Sequence, residues 1–120
     1  IRFSSMSTVY HKPDKVVLEH VRQILSVEGV DGCWIGPVDL ARSLHLDLST
    51  ATGRQRHEDA IMHVLDACHE TGKIPGIYGG SVPGYWLHKG FLFVTVATDM
   101  TILNEATGAI LAQLRQLESS

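Results

Sequence analysis

The stretch Gly29–Leu40, GVDGCWIGPVDL, holds a short apolar segment that runs into a Gly-Pro pair followed by an acid. Proline donates no backbone hydrogen bond and glycine permits close backbone approach, so a buried strand over Cys33–Ile35 is predicted to stop pairing at Gly36. Asp39 and the amides before it would then lie beyond the carboxyl end of that strand, where active sites of α/β barrels are built. The alternative is an ordinary helical turn over 39–44, capped by Asp39.

Strand and helix patterns alternate along the chain, which favours an α/β fold with a parallel sheet and crossover helices. The predicted elements are a helix from Pro13-Asp14 to near Gly29, the strand Cys33–Ile35, a surface loop over Leu46–Gly53, a helix ending at Gly72, the strand Ile74–Tyr78, a short helix over Val82–His88, the strand Phe91–Val96 and a terminal helix. Pro75 would normally demote the second strand, because it cannot donate to a neighbour.

Each long helix carries apolar residues at helical spacing. The stripes are Val17, Val21, Ile24 and Leu25 in the first helix, Ala60, Ile61, Val64, Leu65 and Cys68 in the second, and Leu103, Ala106, Ile110, Leu114 and Leu117 in the last. Asp59 and His63 stand four residues apart on the opposite face of the second helix, a spacing that could hold a metal. A solvated face is the favoured interpretation, because such polar pairs are routine on helix surfaces.

Composition restricts the class of protein. The chain has 120 residues, 44% of them hydrophobic, and a formal net charge of −3, so it lacks the basic surface of a nucleic-acid-binding domain. No apolar run approaches the roughly 20 residues of a membrane span, and residues 1–10 lack the apolar core of a signal peptide. Cys33 and Cys68 are predicted to be core thiols. We expect a globular protein of the cytoplasm without nucleic-acid or membrane partners.

Three segments of the chain resemble one enzyme family. They are EGVDGCWIGPVDLARSL at residues 28–44, ETGKIPGIY at 70–78 and KGFLFVTVATDMTIL at 89–103. In this order and at this spacing they are similar to motifs of the HpcH/HpaI aldolases, metal-dependent class II pyruvate aldolases such as 2-dehydro-3-deoxyglucarate and 4-hydroxy-2-oxoheptanedioate aldolases. The resemblance runs from about Asp14 to about Leu114, and the later motifs correspond to the C-terminal half of the family.

The resemblance implies a (β/α)₈ TIM barrel, which takes about 250 residues. A chain of 120 residues can supply only its C-terminal part, with about three parallel strands and their crossover helices. We therefore expect an incomplete barrel, with residues 13–120 as a partial aldolase barrel domain and residues 1–12 as an N-terminal edge of uncertain structure. The chain would then be a fragment, a truncated product or a degenerate copy of a larger protein.

The chemistry implied by the resemblance is lyase chemistry. It is the reversible, metal-dependent aldol cleavage of 2-oxo-3-deoxy or 4-hydroxy-2-oxo acids to pyruvate and an aldehyde. In the family a Glu and an Asp hold a divalent ion, Mg²⁺ or Mn²⁺, which stabilises the enolate charge as a Lewis acid. Asp39 matches the metal-binding Asp. The turn containing Gly36, Val38 and Asp39 resembles the one that holds the substrate carboxylate, and Tyr78 matches a position near the bound 2-oxo acid.

Departures from the family pattern limit what this chain is expected to do alone. An ungapped alignment places Pro13 where the family has its second metal ligand, with Asp14 beside it, and a proline side chain cannot bind an ion. The family's catalytic arginine and histidine lie outside this chain, so no catalytic residue is assigned here. We expect weak Mg²⁺ binding and no aldolase activity from the chain by itself. The resemblance also implies a homo-oligomer for the full-length form.

Two other functions remain open from the sequence. A non-catalytic remnant could persist as an oligomerisation module, because the leucine-rich stripe from Leu103 to Leu117 needs a partner surface. A self-sufficient module should purify as a folded oligomer, whereas an orphan half-barrel should aggregate through its open strand edge. The string at residues 77–82 is also similar to a phosphate-gripping loop, which would indicate a sugar-phosphate-binding barrel. Asp99 would repel a phosphate there, and Gly79-Gly80 would otherwise simply turn the chain.

Overall fold

A computed structural model describes residues 15–118 of the chain, with side chains from Leu18 onward. Its elements are α1 (Lys15–Leu25), β1 (Gly32–Ile35), α2 (Pro37–Ser43), α3 (Ala51–Thr71), β2 (Ile74–Tyr78), α4 (Pro83–Lys89), β3 (Phe93–Thr95) and α5 (Asp99–Glu118). The predicted helix start at Pro13-Asp14, the proposed ligand position at Pro13 and the N-terminal edge lie outside the described residues.

The three strands within residues 15–118 form one open parallel sheet in the order β1-β2-β3. Ile35 of β1 pairs with Ile77 of β2, which in turn pairs with Val94 of β3. Parallel neighbours need crossover connections, and here helices supply them. The predicted α/β class, with three parallel strands and crossover helices, is confirmed.

The core lies between the sheet and α3. Alternate strand residues, among them Cys33, Ile35 and Ile77, are buried together with the apolar stripe of α3. The α3 members of this core are Ala60, Ile61, Val64, Leu65, Ala67 and Cys68. From α1, Val21 and Leu25 join the same cluster. The stripes predicted for the first two long helices are therefore confirmed where their side chains are described.

The opposite face of the sheet is lined by aromatic side chains. A Cβ atom built on Gly76 would meet Cδ1 of Phe93 at 3.0 Å and Cδ1 of Trp34 at 3.2 Å. All three residues lie side by side in the strand register. Glycine at the centre of β2 therefore lets the two flanking rings approach each other over the strand.

Pro75 lies inside the central strand, where proline is rare. The amide of Ile74 donates to the Asp31 carbonyl on the β1 side, and the Pro75 carbonyl accepts from Leu92 on the β3 side. The ring nitrogen of Pro75 therefore faces the chain just before β3 begins at Phe93. Because no strand pairing has started on that side, the missing donor interrupts no ladder. This explains why the predicted strand Ile74–Tyr78 forms in spite of its proline.

Several predicted boundaries were wrong by a few residues. The first helix ends at Leu25 rather than near Gly29, and hydrogen-bonded turns connect it to β1. The predicted loop at 46–53 ends sooner, because the Thr50 hydroxyl accepts from the Gly53 amide and caps α3 from Ala51. The third strand covers 93–95, not 91–96. The predicted stop at Gly72 is confirmed, since this residue has a φ of 65° and ends α3.

The terminal helix α5 has no buried residue. Its apolar residues Leu103, Ile110, Leu114 and Leu117 all lie on the surface, the last with 72% of its area exposed. The predicted helix and its stripe are therefore present, while nothing within residues 15–118 covers the stripe. Of the helices described, none has the length and apolar character needed to cross a membrane.

Candidate functional site at the carboxyl ends of the strands

The candidate site lies along the edge of the sheet where the three strands end. Ile35 and Ile77 are partners in the register, as are Tyr78 and Thr95. The segments that follow β1, β2 and β3 consequently leave the sheet at the same edge. This arrangement places the turn at Gly36 next to Tyr78, and Tyr78 next to the end of β3.

Asp39 lies in the first turn of α2 rather than in a loop. The helix begins at Pro37 directly after the Gly36 N-cap, and Gly36 makes no side-chain capping hydrogen bond. The helical turn predicted over 39–44 therefore begins two residues earlier, and its cap is Gly36 rather than Asp39. Proline suits this start because its fixed φ matches the helix and its missing N–H is not needed there. A carboxylate in the first turn is stabilised by the positive end of the helix dipole.

The other residues of this turn have defined roles. The first helical hydrogen bond of α2 is donated by the Leu40 amide to the Gly36 carbonyl, at 3.0 Å. Val38 thus belongs to the first turn, where backbone amides point beyond the N-terminus of the helix and have no intrahelical acceptor. The side chain of Val38 is exposed, while Leu40 and Ala41 are buried and anchor the helix.

His57 contacts this turn and was missed by the sequence analysis. Its Nε2 atom lies 2.7 Å from the carbonyl oxygen of Pro37, a distance at which the ring N–H donates a hydrogen bond. The bond joins the second turn of α3 to the first residue of α2. No local sequence pattern predicts this hydrogen bond, because the two residues are 20 positions apart and meet only after α3 has packed beside α2.

Tyr78 is the last residue of β2 and is half-buried at the same edge. The two glycines that follow are required by the shape of the backbone. A Cβ atom on Gly79 would lie 2.6 Å from Cγ1 of Val94 and 3.0 Å from Cα of Pro83, and Gly80 has a φ of 52°. This geometry accounts for Gly79-Gly80 as a turn between strand and helix, and the phosphate-binding alternative stays a prediction.

Thr95 ends β3 beside Tyr78. Its carbonyl accepts a hydrogen bond from the Gly79 amide at 2.8 Å, so the segment after β2 continues to pair beyond the strand itself. Its hydroxyl oxygen is buried and has no hydrogen-bond partner among the described residues. Burying an unsatisfied hydroxyl costs about 1–3 kcal/mol. Polar groups at this edge are therefore not fully satisfied by residues 15–118.

The acidic and histidine residues on the outer face of α3 serve the contact with α1. The Nε2 atom of His63 lies 3.0 Å from the Leu18 carbonyl oxygen, and Glu70 forms a two-point ion pair with Arg22. The Arg22 guanidinium lowers the pKa of the Glu70 carboxyl. Asp59 accepts from Gln55 instead. The prediction of a merely solvated face was therefore incomplete, because part of this face holds two helices together.

The donor set fits a hard divalent ion only in part. Within the described region no group of three or more His, Cys, Asp or Glu side chains is placed to hold a metal. At the strand edge the Asp39 carboxylate supplies the oxygen ligand that Mg²⁺ and Mn²⁺ prefer. Mg²⁺ often keeps several waters and uses one or two protein carboxylates together with substrate oxygens. Asp39 fits that mode of binding as a single protein ligand.

Cys33 and Cys68 lie in the core, as predicted, and are free thiols. The hydrogen bond with Cys68 and burial both raise the pKa of the Cys33 thiol. A protonated, buried thiol is a poor nucleophile. Cys33 of β1 and Cys68 of α3 pack these two elements against each other in the core.

Comparison with known proteins shows similarity to aldolases. Over 102 residues the chain is 39% identical to a hydroxypyruvate/pyruvate aldolase of Rhizorhabdus wittichii. This alignment covers 83% of this chain and 41% of the aldolase. The chain is 38% identical over 101 residues to a 4-hydroxy-2-oxo-heptane-1,7-dioate aldolase of Escherichia coli, covering 80% and 37%. The chain thus spans about two fifths of the length of these relatives. No model in a scan of protein families matches it.

Solved structures show the same relationship. An HpcH/HpaI aldolase/citrate lyase family protein from Burkholderia cenocepacia superposes with a TM-score of 0.73 and 29% identity, over 86% of this chain and 40% of that one. An HpcH/HpaI aldolase from Desulfitobacterium hafniense, at 20% identity, shares the fold with a TM-score of 0.72. In sequence and in fold, the chain is similar to part of the HpcH/HpaI aldolases.

Proposed function

We propose that this chain carries the metal-binding side of an aldolase site. The reaction is the reversible cleavage of a 2-oxo-3-deoxy or 4-hydroxy-2-oxo acid to pyruvate and an aldehyde. The observation that carries the proposal is the position of Asp39, an exposed carboxylate in the first turn of the helix that follows β1 at the carboxyl edge of the sheet. The names of the two curated relatives, both aldolases, supply the reaction class.

Each residue of the turn has a role in this proposal. Asp39 is the protein ligand of a divalent ion, Mg²⁺ or Mn²⁺. When bound, the ion supplies Lewis-acid stabilisation of enolate charge. Val38 and Asp39 offer backbone amides to the substrate carboxylate, because they lie in the first turn of α2, and Gly36 allows the substrate to approach the backbone closely. Tyr78 lies on the neighbouring strand end and contacts the 2-oxo acid.

The chain by itself is proposed to be inactive. One carboxylate at the edge binds Mg²⁺ weakly, because that ion gives up water reluctantly and needs several well-placed ligands. The part of the relatives that this chain does not match would supply the remaining groups. We also propose a cytoplasmic location, which is compatible with two free, buried thiols because reducing compartments keep thiols in that state.

The test compares the chain alone with a chimera in which it follows the unmatched N-terminal part of the Rhizorhabdus wittichii aldolase. Pyruvate-dependent aldol activity is measured with Mn²⁺ and with a chelator. We expect activity only in the chimera with metal, and its loss in Asp39→Asn. The matched control is Asp31→Asn, since Asp31 precedes β1 at the opposite end of the same strand. Full activity of the Asp39→Asn chimera would exclude this role for Asp39.

A second candidate function rests on α5. Its stripe of apolar residues is exposed along the whole helix, which is unusual for a monomer. This favours a non-catalytic association module, or a contact of α5 in a homo-oligomer. Light scattering after size-exclusion chromatography tests it. A folded oligomer that becomes monomeric in Leu114→Glu supports association through α5, whereas a folded monomer excludes it.

A further inference from the structure

We propose that His57 is a positioning residue that holds the Gly36–Asp39 turn in place through the Pro37 carbonyl. The inference rests on the function proposed for Asp39. His57 touches neither substrate nor metal in this account. Its contribution is to fix the start of α2, and thereby the direction in which the carboxylate of Asp39 leaves the helix.

The geometry of the contact supports this role. The half-buried ring of His57 reaches from α3 to the first residue of α2, with Nε2 2.7 Å from the Pro37 oxygen. Pro37 is two residues before Asp39 in the same helical turn. A carbonyl oxygen has two lone pairs, so it can accept from the ring as well as from the helix backbone. The contact therefore restrains the turn without replacing a hydrogen bond of α2.

No side chain caps the start of α2. The helix contains seven residues, and its N-cap Gly36 makes no side-chain hydrogen bond. A helix this short is not stable on its own and depends on tertiary contacts. Leu40 and Ala41 anchor the middle of α2 in the core, whereas the hydrogen bond from His57 reaches its first residue. Loss of that bond should loosen the first turn more than the rest of the helix.

The same helix α3 provides a matched control. Six residues after His57, His63 places its Nε2 atom 3.0 Å from the Leu18 carbonyl oxygen of α1. Both histidines thus link α3 to the backbone of a neighbouring helix by the same kind of bond. Of these two histidines, His57 contacts the turn that carries Asp39, whereas His63 contacts α1. A purely structural role predicts similar consequences for both substitutions, while a positioning role predicts a difference confined to the turn.

The experiment uses the 120-residue chain labelled with ¹⁵N and titrated with Mn²⁺. It follows paramagnetic broadening of the Val38 amide signal and hydrogen exchange of the Leu40 amide. In His57→Ala we expect the Mn²⁺ concentration for half-broadening to rise about tenfold, as for other residues that orient metal ligands, and Leu40 to exchange faster. His57→Gln should restore both values, because its side-chain amide can donate to the same carbonyl. His63→Ala should change neither.

Two results overturn the inference. One is unchanged Leu40 exchange in His57→Ala, and the other is equal changes in His57→Ala and His63→Ala. If His57→Ala does not fold, His57→Asn replaces it, because its amide is too short to span the contact. Asp39→Asn separates this test from the proposed function. Broadening at Val38 that persists in Asp39→Asn contradicts the metal role of Asp39, and the Leu40 exchange rates then decide on His57 by themselves.

Discussion

The segment from α1 to β2 and the segment from Phe91 to the end of α5 differ in how they are packed. The first contributes nearly all buried side chains, arranged between the sheet and α3. The second contributes Phe91 just before β3, with 2% of its area exposed, while α5 buries none of its 20 residues. Yet both segments carry long helices with regular apolar stripes. An apolar stripe therefore indicates a helix face that is stabilised by packing against another surface, without showing that this surface is present.

The first prediction concerns the largest difference between the two segments. Leu65 of α3 is 1% exposed and Leu114 of α5 is 52% exposed. Leu65→Ala should lower the free energy of unfolding by about 2–5 kcal/mol, because it leaves a cavity in the core. Leu114→Ala should change it by no more than about 0.5 kcal/mol. Urea denaturation followed by circular dichroism measures both.

A large effect of Leu114→Ala would show that α5 is covered in solution. Repeating the denaturation over a range of protein concentrations identifies the cover. A midpoint that rises with concentration indicates a second copy of the chain, because association stabilises the folded state by mass action. A midpoint independent of concentration would instead place α5 against its own chain and contradict the contrast drawn above.

The second prediction compares one glycine from each segment. A Cβ atom on Gly53, in the first turn of α3, would collide with the Asp47 carbonyl and lie 2.9 Å from Oγ1 of Thr50. Gly53→Ala should therefore destabilise the protein by about 1–3 kcal/mol, the usual cost of overpacking. Gly108 lies inside α5 with nothing within 4 Å of its Cβ position. Gly108→Ala should raise helix stability by about 0.5–1 kcal/mol.

Thermal unfolding of the two alanine variants should consequently move in opposite directions. A fall in the midpoint for Gly108→Ala would show that another surface approaches α5 closely at that point. A neutral Gly53→Ala would show that the loop before α3 can move away from the helix. In that case the hydrogen bond from the Gly53 amide to Thr50 would not fix the start of α3.

The strands and the end of α3 could be predicted from sequence because their signals are local. Gly-Pro stops β1, and a glycine with positive φ stops α3 at residue 72. The start of α3 was placed too late, because its capping residue Thr50 lies within a run of turn-forming residues. The third strand was predicted too long, since pairing depends on how far β2 extends beside it and not on β propensity alone.

The candidate site also combines residues that local sequence signals predict with a residue that they do not predict. Asp39 and Tyr78 follow or end strands, so the topology alone brings them to one edge. His57 contacts the turn across 20 residues, and no spacing rule predicts such a contact. Local patterns therefore place Asp39 and Tyr78 at one edge of the sheet, while the contact of His57 with Pro37 emerges only in the packed structure.

The third and smallest predicted effect concerns the junction between the two segments. Here α4, which has no buried residue, is tied to α3 by polar contacts. The Tyr85 hydroxyl donates to Oε1 of Glu58, and Nζ of Lys89 lies 2.9 Å from the same oxygen. The hydrogen bonds from Tyr85 and then Lys89 lower the pKa of Glu58 from its usual 4.5. A carboxylate with a lowered pKa stabilises the folded state above the unfolded pKa and loses that contribution as the pH falls through the folded value.

Glu58→Gln should therefore flatten the decline in stability between about pH 5 and pH 3. Near neutral pH the variant should be only slightly less stable, because exposed ion pairs contribute little. Urea midpoints measured at several pH values give the slope, with Glu105→Gln on the exposed helix α5 as the control. If the two variants keep the slope of the unmodified chain, the contact among Glu58, Tyr85 and Lys89 does not form in solution. The junction would then depend on the edge-to-face packing of Trp86 against Phe91, an apolar contact whose strength does not change with pH.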